Sequence, residues 1–374
     1  MSPSKTPSSN SALWLDQSGK LEVKSAPYTL PLKNEIVVKN GAIAVNPVDW
    51  IKQDIGSFMF PWVKYPCILG YDVSGEVVEI GPEVTRFKVG DRVAGMAMGL
   101  TESSNVLTES GFQLYTVLLD NMTSHIPHTL SYEQACVIPL GLSTAATGLF
   151  QKDQLALELP SLSPKSTGET VLIWGGSTSV GVNAIQLAVA AGYEVFSTSS
   201  PKNFDLLKKL GASQVFDYNS KTVIPDLINA FKGKTTAGAM SIGQGAADAC
   251  MDILNKCKGR KFLSMATYPV PFPPPKRFIL PKVVCTFVPW MISNQVKKMV
   301  RGIDNAFVEG STIAMNSVSK AIFADFLSEA LEKGVFVAAP EAMVVGNGLE
   351  SIEKGLEIQR KGVSARKVVI SLHR

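Results

Sequence analysis

The stretch WGGSTSVG, from Trp174 to Gly181, joins an apolar run to a helical pattern, and nearly all of its residues are small. A tight strand-to-helix turn points backbone N–H groups at an anion, and the helix dipole adds roughly half a positive charge there. Small side chains let a phosphate approach, and Gly175, Gly176, Ser177, Thr178, Ser179 and Gly181 meet that need around Val180. The strict G-x-G-x-x-G pattern is absent, because Thr178 stands at its central glycine position. A second apolar run then ends in STSSPKN, where NAD-specific folds place an Asp or Glu for the ribose hydroxyls. A carboxylate there would repel a 2′-phosphate. Lys202 attracts one, and Ser199 and Ser200 can donate hydrogen bonds to it, which favours NADPH over NADH. Tyr218, after the following strand, either flanks the same phosphate or packs as an ordinary aromatic.

Composition narrows the remaining chemistry. The chain has 374 residues, 45% hydrophobic and 18% charged, with a formal net charge of +4 and no basic run, which argues against nucleic acid as the main partner. Its five cysteines are scattered without a C-x-x-C pair, and its histidines are His125, His128 and His373. That fits a reduced, cytoplasmic protein without a disulfide framework or a Cys/His metal site. The opening MSPSKTPSSN lacks the apolar core of a signal peptide, and no apolar run reaches the roughly 18 residues of a membrane span.

The elements that must position these residues fall into two kinds. Residues 12–130 read as short strands and turns, as in a β-barrel domain, with NEIVVKNGAIAVN alternating as a strand should. Ser131 and Gln134 have capping-box spacing at a helix start. From 171 strands are expected at 171–174, 194–199, 214–217, 237–242, 261–267 and 283–288, with helices near 179–191, 203–210, 222–231 and 244–257 between them. That alternation predicts a doubly wound parallel sheet, an α/β fold. An amphipathic helix over 318–333 and a closing strand in RKVVISL exceed a six-stranded sheet and are expected to return to the first domain. The division reads as 1–140 with 300–374 for the β domain and 141–299 for the nucleotide-binding domain.

AVNPVDW, ILGYDVSGEVVEIGPEVTRFKVGDRVAG, GLSTAATGLF and the closing ARKVVISL, taken with the glycine turn, resemble the medium-chain dehydrogenases/reductases. The branch is similar to the zinc-independent quinone oxidoreductases and the trans-acting enoyl reductases of fungal polyketide synthesis. The resemblance implies a GroES-like β-barrel domain, a Rossmann domain, and NADPH in the cleft between them. Zinc enzymes of the superfamily place a Cys where this chain has Asn46, a His where it has Tyr71, and a third ligand near Leu140. A catalytic zinc needs three protein ligands, so no metal is expected.

The resemblance also implies hydride transfer to an electron-poor carbon, in an enone, an enoyl thioester or a quinone. The protein's part is alignment and stabilisation of the developing enolate. Asn46 can donate a hydrogen bond in the cleft. Lys52 can donate to the enolate oxygen or bind the cofactor ribose. Thr144 lies near the start of a helix expected to back the nicotinamide, and Tyr71 can donate a proton or fill space. Each residue also has a plain structural role: a turn, a solvated lysine, a helix cap, a core aromatic. Competing functions are a carbonyl or imine reductase of a tailoring pathway and a non-catalytic NADPH-binding protein. The expected partner is a small-molecule substrate, free or delivered on a carrier protein; VPFPPPKRFILPK is an ordinary loop or, as the less favoured reading, the rim where such a carrier docks. The state is monomer or homodimer.

Overall fold

A computed structural model describes residues 9–56, 60–102, 104, 107–269 and 279–373. The chain divides into two compact units, Met1–Pro139 with Glu341–Arg374, and Leu140–Pro340.

The first unit opens with β1 (Asn10–Leu15), β2 (Leu21–Ala26), β3 (Glu35–Ala44), α1 (Pro47–Ile55), β4 (Cys67–Ile68) and β5 (Asp72–Ile80). It continues with β6 (Arg92–Met96), β7 (Tyr115–Leu119), β8 (Thr123–His125) and α2 (Tyr132–Ala135). β3 is buried at every position but Lys39. It pairs antiparallel with both β5 and β7, so it is an interior strand with little room for the alternation its sequence suggests. The capping box forms: Ser131 Oγ accepts from Gln134 N–H at 3.2 Å and Gln134 Oε1 accepts from Ser131 N–H at 2.9 Å.

The second unit carries α3 (Pro139–Phe150), β9 (Glu169–Trp174), α4 (Ser179–Ala190), β10 (Glu194–Ser199), α5 (Phe204–Lys209), β11 (Gln214–Asp217) and α6 (Val223–Ala230). There follow β12 (Thr235–Ser241), α7 (Ala246–Leu254), β13 (Lys258–Gly259), β14 (Phe262–Met265), α8 (Ile279–Arg301) and β15 (Asp304–Phe307). The strands form a parallel sheet in the order β11-β10-β9-β12-β14-β15. Leu172, Phe196, Leu227, Met251 and Leu263 are fully buried where the helices meet the sheet. Each such side chain contributes about 1.5–3 kcal/mol of transfer free energy.

The expected sixth strand at 283–288 is instead part of α8, and β15 takes its place. Its β-branched residues suit a strand, but the pattern runs on at helical spacing. Phe287 and Trp290, three residues apart, lie 6.2 and 5.8 Å from the Phe307 ring, and Lys297 and Arg301, four apart, pair with Asp248 and Asp252. The amphipathic segment runs as α9 (Ser317–Ser319), a π-helical stretch over Lys320–Phe326, and α10 (Leu327–Glu332). Because β15 completes the parallel sheet, residues 300–340 stay with the second unit, and the chain returns to the first only at Glu341. The returning elements are β16 (Glu341–Asn347), α11 (Ile352–Lys361) and β17 (Arg366–Ser371). β17 lies between β16 and β3, giving the order β16-β17-β3-β5-β6-β8. Among the described residues no helix is long and apolar enough to cross a membrane. The proline-rich stretch 270–278 lies outside the described residues.

Candidate active site

The glycine turn forms where β9 runs into α4. Gly175 adopts φ +86°, which favours glycine, and a Cβ on Gly176 would stand 2.1 Å from the Ser197 hydroxyl. A Cβ on Gly181 would stand 2.3 Å from the Gly175 carbonyl, so the strand end and the helix start approach as closely as two bare backbones allow. Thr178 caps α4, its Oγ1 accepting from Gly181 N–H at 3.0 Å and donating to the Gly175 carbonyl at 2.8 Å. Thr178, at the central glycine position, thus ties the turn together through its own hydroxyl. Ser179 and Val180, at the first two helical positions, have N–H groups outside the helix ladder. Ser177, Thr178, Ser179 and Val180 are all at least partly accessible. A turn with no room for a Cβ at Gly175, Gly176 or Gly181, followed by a capped helix start, fits a nucleotide pyrophosphate.

Thr198 is a member of this turn that sequence reasoning missed. Its Oγ1 accepts from Gly175 N–H at 3.0 Å and its carbonyl from Gly176 N–H at 2.9 Å. At the end of β10, Ser199 is fully buried and donates to the Ser200 carbonyl at 3.1 Å. Ser200 is half-buried, and Lys202 and Tyr218 are exposed. Of the expected phosphate ligands, Ser200, Lys202 and Tyr218 thus have accessible side chains, while the Ser199 hydroxyl is used internally. Asp217 stands in register with Ser199 on the next strand, and its carboxylate accepts from the backbone and side-chain N–H groups of Asn219. Thr144, on α3, donates to the Leu140 carbonyl at 2.9 Å, as a helical threonine does, and touches the Gly310 backbone position.

In the first unit, Asn46 precedes Pro47, which keeps it extended at φ −120°, ψ 158° and starts α1. Its backbone N–H donates to Asp49 Oδ2 at 2.8 Å. The Asn46 side chain has two partners distant in sequence. Nδ2 donates to Asp72 Oδ2 at 2.9 Å, and Oδ1 accepts from Lys367 Nζ at 2.5 Å. Lys367 Nζ is also 2.9 Å from Asp72 Oδ2, so three buried side chains close a triangle. Asp49 is fully buried with Oδ1 unpartnered among the described residues; burial, and then the nearby Asp72 charge, push its carboxyl up to about 7. Asp72 and Lys367 lie in GYDVSG and ARKVVISL, two stretches that carry the family resemblance, but Lys367 is 321 residues from Asn46 and no local pattern joins them.

The donor set does not fit a divalent metal. Neither Asn46 nor Tyr71 offers a thiolate or imidazole, and the Asn46 oxygen already faces an ammonium, which repels a dication. Tyr71 is buried immediately before Asp72. Lys52, on α1, is buried with partners of its own: its ammonium donates to the carbonyls of Phe60 at 3.1 Å and Val63 at 3.4 Å and lies 4.8 Å from the Tyr65 ring centroid. Burial lowers its pKa from the ordinary lysine value.

Comparison with known proteins matches this architecture. Residues 32–128 match the alcohol dehydrogenase GroES-like domain. The chain is 56% identical over 366 residues to the dehydrogenase pigH of Monascus ruber, covering 97% of this chain and 99% of that one. It is 39% identical to the trans-enoyl reductase himH of Aspergillus japonicus, covering 98% of each. The crystal structure of the CurK enoyl reductase superposes with a TM-score of 0.72 at 18% identity, over 97% of this chain and 99% of that one, a likeness of fold.

Proposed function

The chain belongs to the medium-chain dehydrogenase/reductase superfamily, and from that premise we propose that this oxidoreductase is a zinc-independent reductase that uses NADPH to reduce an activated C=C bond, in an enone or enoyl thioester. The observation that carries the cofactor assignment is the end of β10, where Ser200 and Lys202 follow the strand and none of the residues 199–203 is a carboxylate. The bound nicotinamide supplies a hydride to the β-carbon. The amides of the Gly176–Val180 turn hold the pyrophosphate, and Lys202, Ser200 and Tyr218 hold the 2′-phosphate. Thr144 is assigned to the nicotinamide. Asn46 donates a hydrogen bond to the acceptor's oxygen as it gains enolate character, and Tyr71 is the proposed source of the proton returned to the α-carbon.

The 39% identity to a trans-enoyl reductase supports an enoyl acceptor over a simple alcohol. Without a fitting metal set, a plain alcohol lacks the Lewis acid that would polarise it. The test is NADPH consumption with a panel of enones, free enoyl thioesters, carrier-bound enoyl thioesters, quinones, ketones and imines. Reduction of the C=C substrates is the expected result. Activity confined to quinones, or to carbonyls and imines, would replace the proposed substrate class, and NADPH binding without consumption of any acceptor would make the chain a binding protein.

A further inference from the structure

The geometry points to Lys367 and Asp72 as positioning residues that lock the Asn46 carboxamide, making Asn46 a dedicated hydrogen-bond donor to the substrate oxygen. The inference rests on the reductase reading above. An asparagine side chain is normally ambiguous, since its oxygen and nitrogen are alike in shape. Here the partners remove the ambiguity. An ammonium has only hydrogens to give, and an ionised carboxylate only lone pairs. Lys367 Nζ at 2.5 Å therefore fixes Oδ1, and Asp72 Oδ2 at 2.9 Å fixes Nδ2. Nδ2 carries two hydrogens, and Asp72 takes one. The second is left for an acceptor, and the group cannot flip to present its oxygen instead.

Stability alone does not account for the pair. Lys367 is 4% exposed and Asp72 is fully buried, and burying two charges costs desolvation that a well-packed apolar pair avoids. What the pair adds is direction, because each ion spends one bond on Asn46.

A double-mutant cycle on the full chain tests this, with NADPH consumption by an enone acceptor as the readout. Lys367→Met is expected to lower kcat by about 10- to 100-fold, with the NADPH dissociation constant unchanged. Asn46→Ala is expected to lower kcat to a similar degree, and Lys367→Met added to Asn46→Ala to cost little more. Lys367→Arg, which keeps the donor and charge, is expected to recover much of the activity. Lys367→Met leaves Asp72 unpaired; if that variant does not fold, Lys367→Met with Asp72→Asn replaces it in the cycle. An equal loss in both backgrounds, or an intact kcat with only a lowered Tm, would overturn the positioning role and leave the reductase reading standing. No turnover of any acceptor by the unsubstituted chain would overturn both.

Discussion

Thr178 Oγ1 accepts the backbone N–H of Gly181 at 3.0 Å while donating to the Gly175 carbonyl at 2.8 Å, so one hydroxyl ties both ends of the phosphate turn together. Thr178→Ala is expected to cost about 1 kcal/mol of stability through the lost cap and to weaken NADPH binding. Gly176→Ala should be worse, since its Cβ would meet the Ser197 hydroxyl at 2.1 Å. Thermal melts and cofactor titrations of the two variants check the order. An unchanged NADPH affinity in both would remove the turn from the binding site.

Lys52 separates a structural from a chemical role. Its ammonium is spent on the Phe60 and Val63 carbonyls, so Lys52→Met is expected to lose on the order of 1–3 kcal/mol of folding stability with little change in NADPH affinity. Denaturant unfolding alongside steady-state kinetics decides this. A large loss of kcat at unchanged stability would return Lys52 to the reacting centre.

The parts of this molecule that were legible in sequence are those written locally. The glycine turn, the βαβ alternation and the Ser131–Gln134 cap each depend on residues within a few positions, and the structure places strands and helices at the expected places from β9 to β14. α8 was misread because β-branched residues dominate its first turns, while Trp290, Lys297 and Arg301, which help dock it, come later. The return of the chain was placed too early for the same reason: with 283–288 taken as the sixth strand, β15 had no assigned position. Asn46 was singled out, but its partner Lys367 was not, since a buried hydrogen bond across 321 residues leaves no periodic trace.

Asp49 makes stability pH-dependent in an unusual direction. Its carboxyl is held at about 7 in the fold against 3.8 when unfolded, chiefly by burial. Below 3.8 both states are protonated and there is no penalty. As pH rises from there to about 7 the unfolded chain releases the proton and the folded chain keeps it, so Asp49 destabilises the fold progressively, by up to roughly 4 kcal/mol above that window. Asp49→Asn keeps an acceptor for the Asn46 N–H and should remove this dependence. The stability difference between variant and parent, followed by denaturant unfolding from pH 4 to pH 8, is expected to shift in favour of the variant as pH rises. A difference independent of pH would place the Asp49 carboxyl in the ordinary acidic range.

The central claim is that the end of β10 selects a 2′-phosphate, and parallel titrations of the chain and of Lys202→Glu with NADPH and NADH test it most directly. The expected result is tighter binding of NADPH than of NADH by the parent, with the substitution weakening NADPH by about tenfold or more and leaving NADH nearly unchanged. Equal affinity for both cofactors, unaltered by Lys202→Glu, would contradict it.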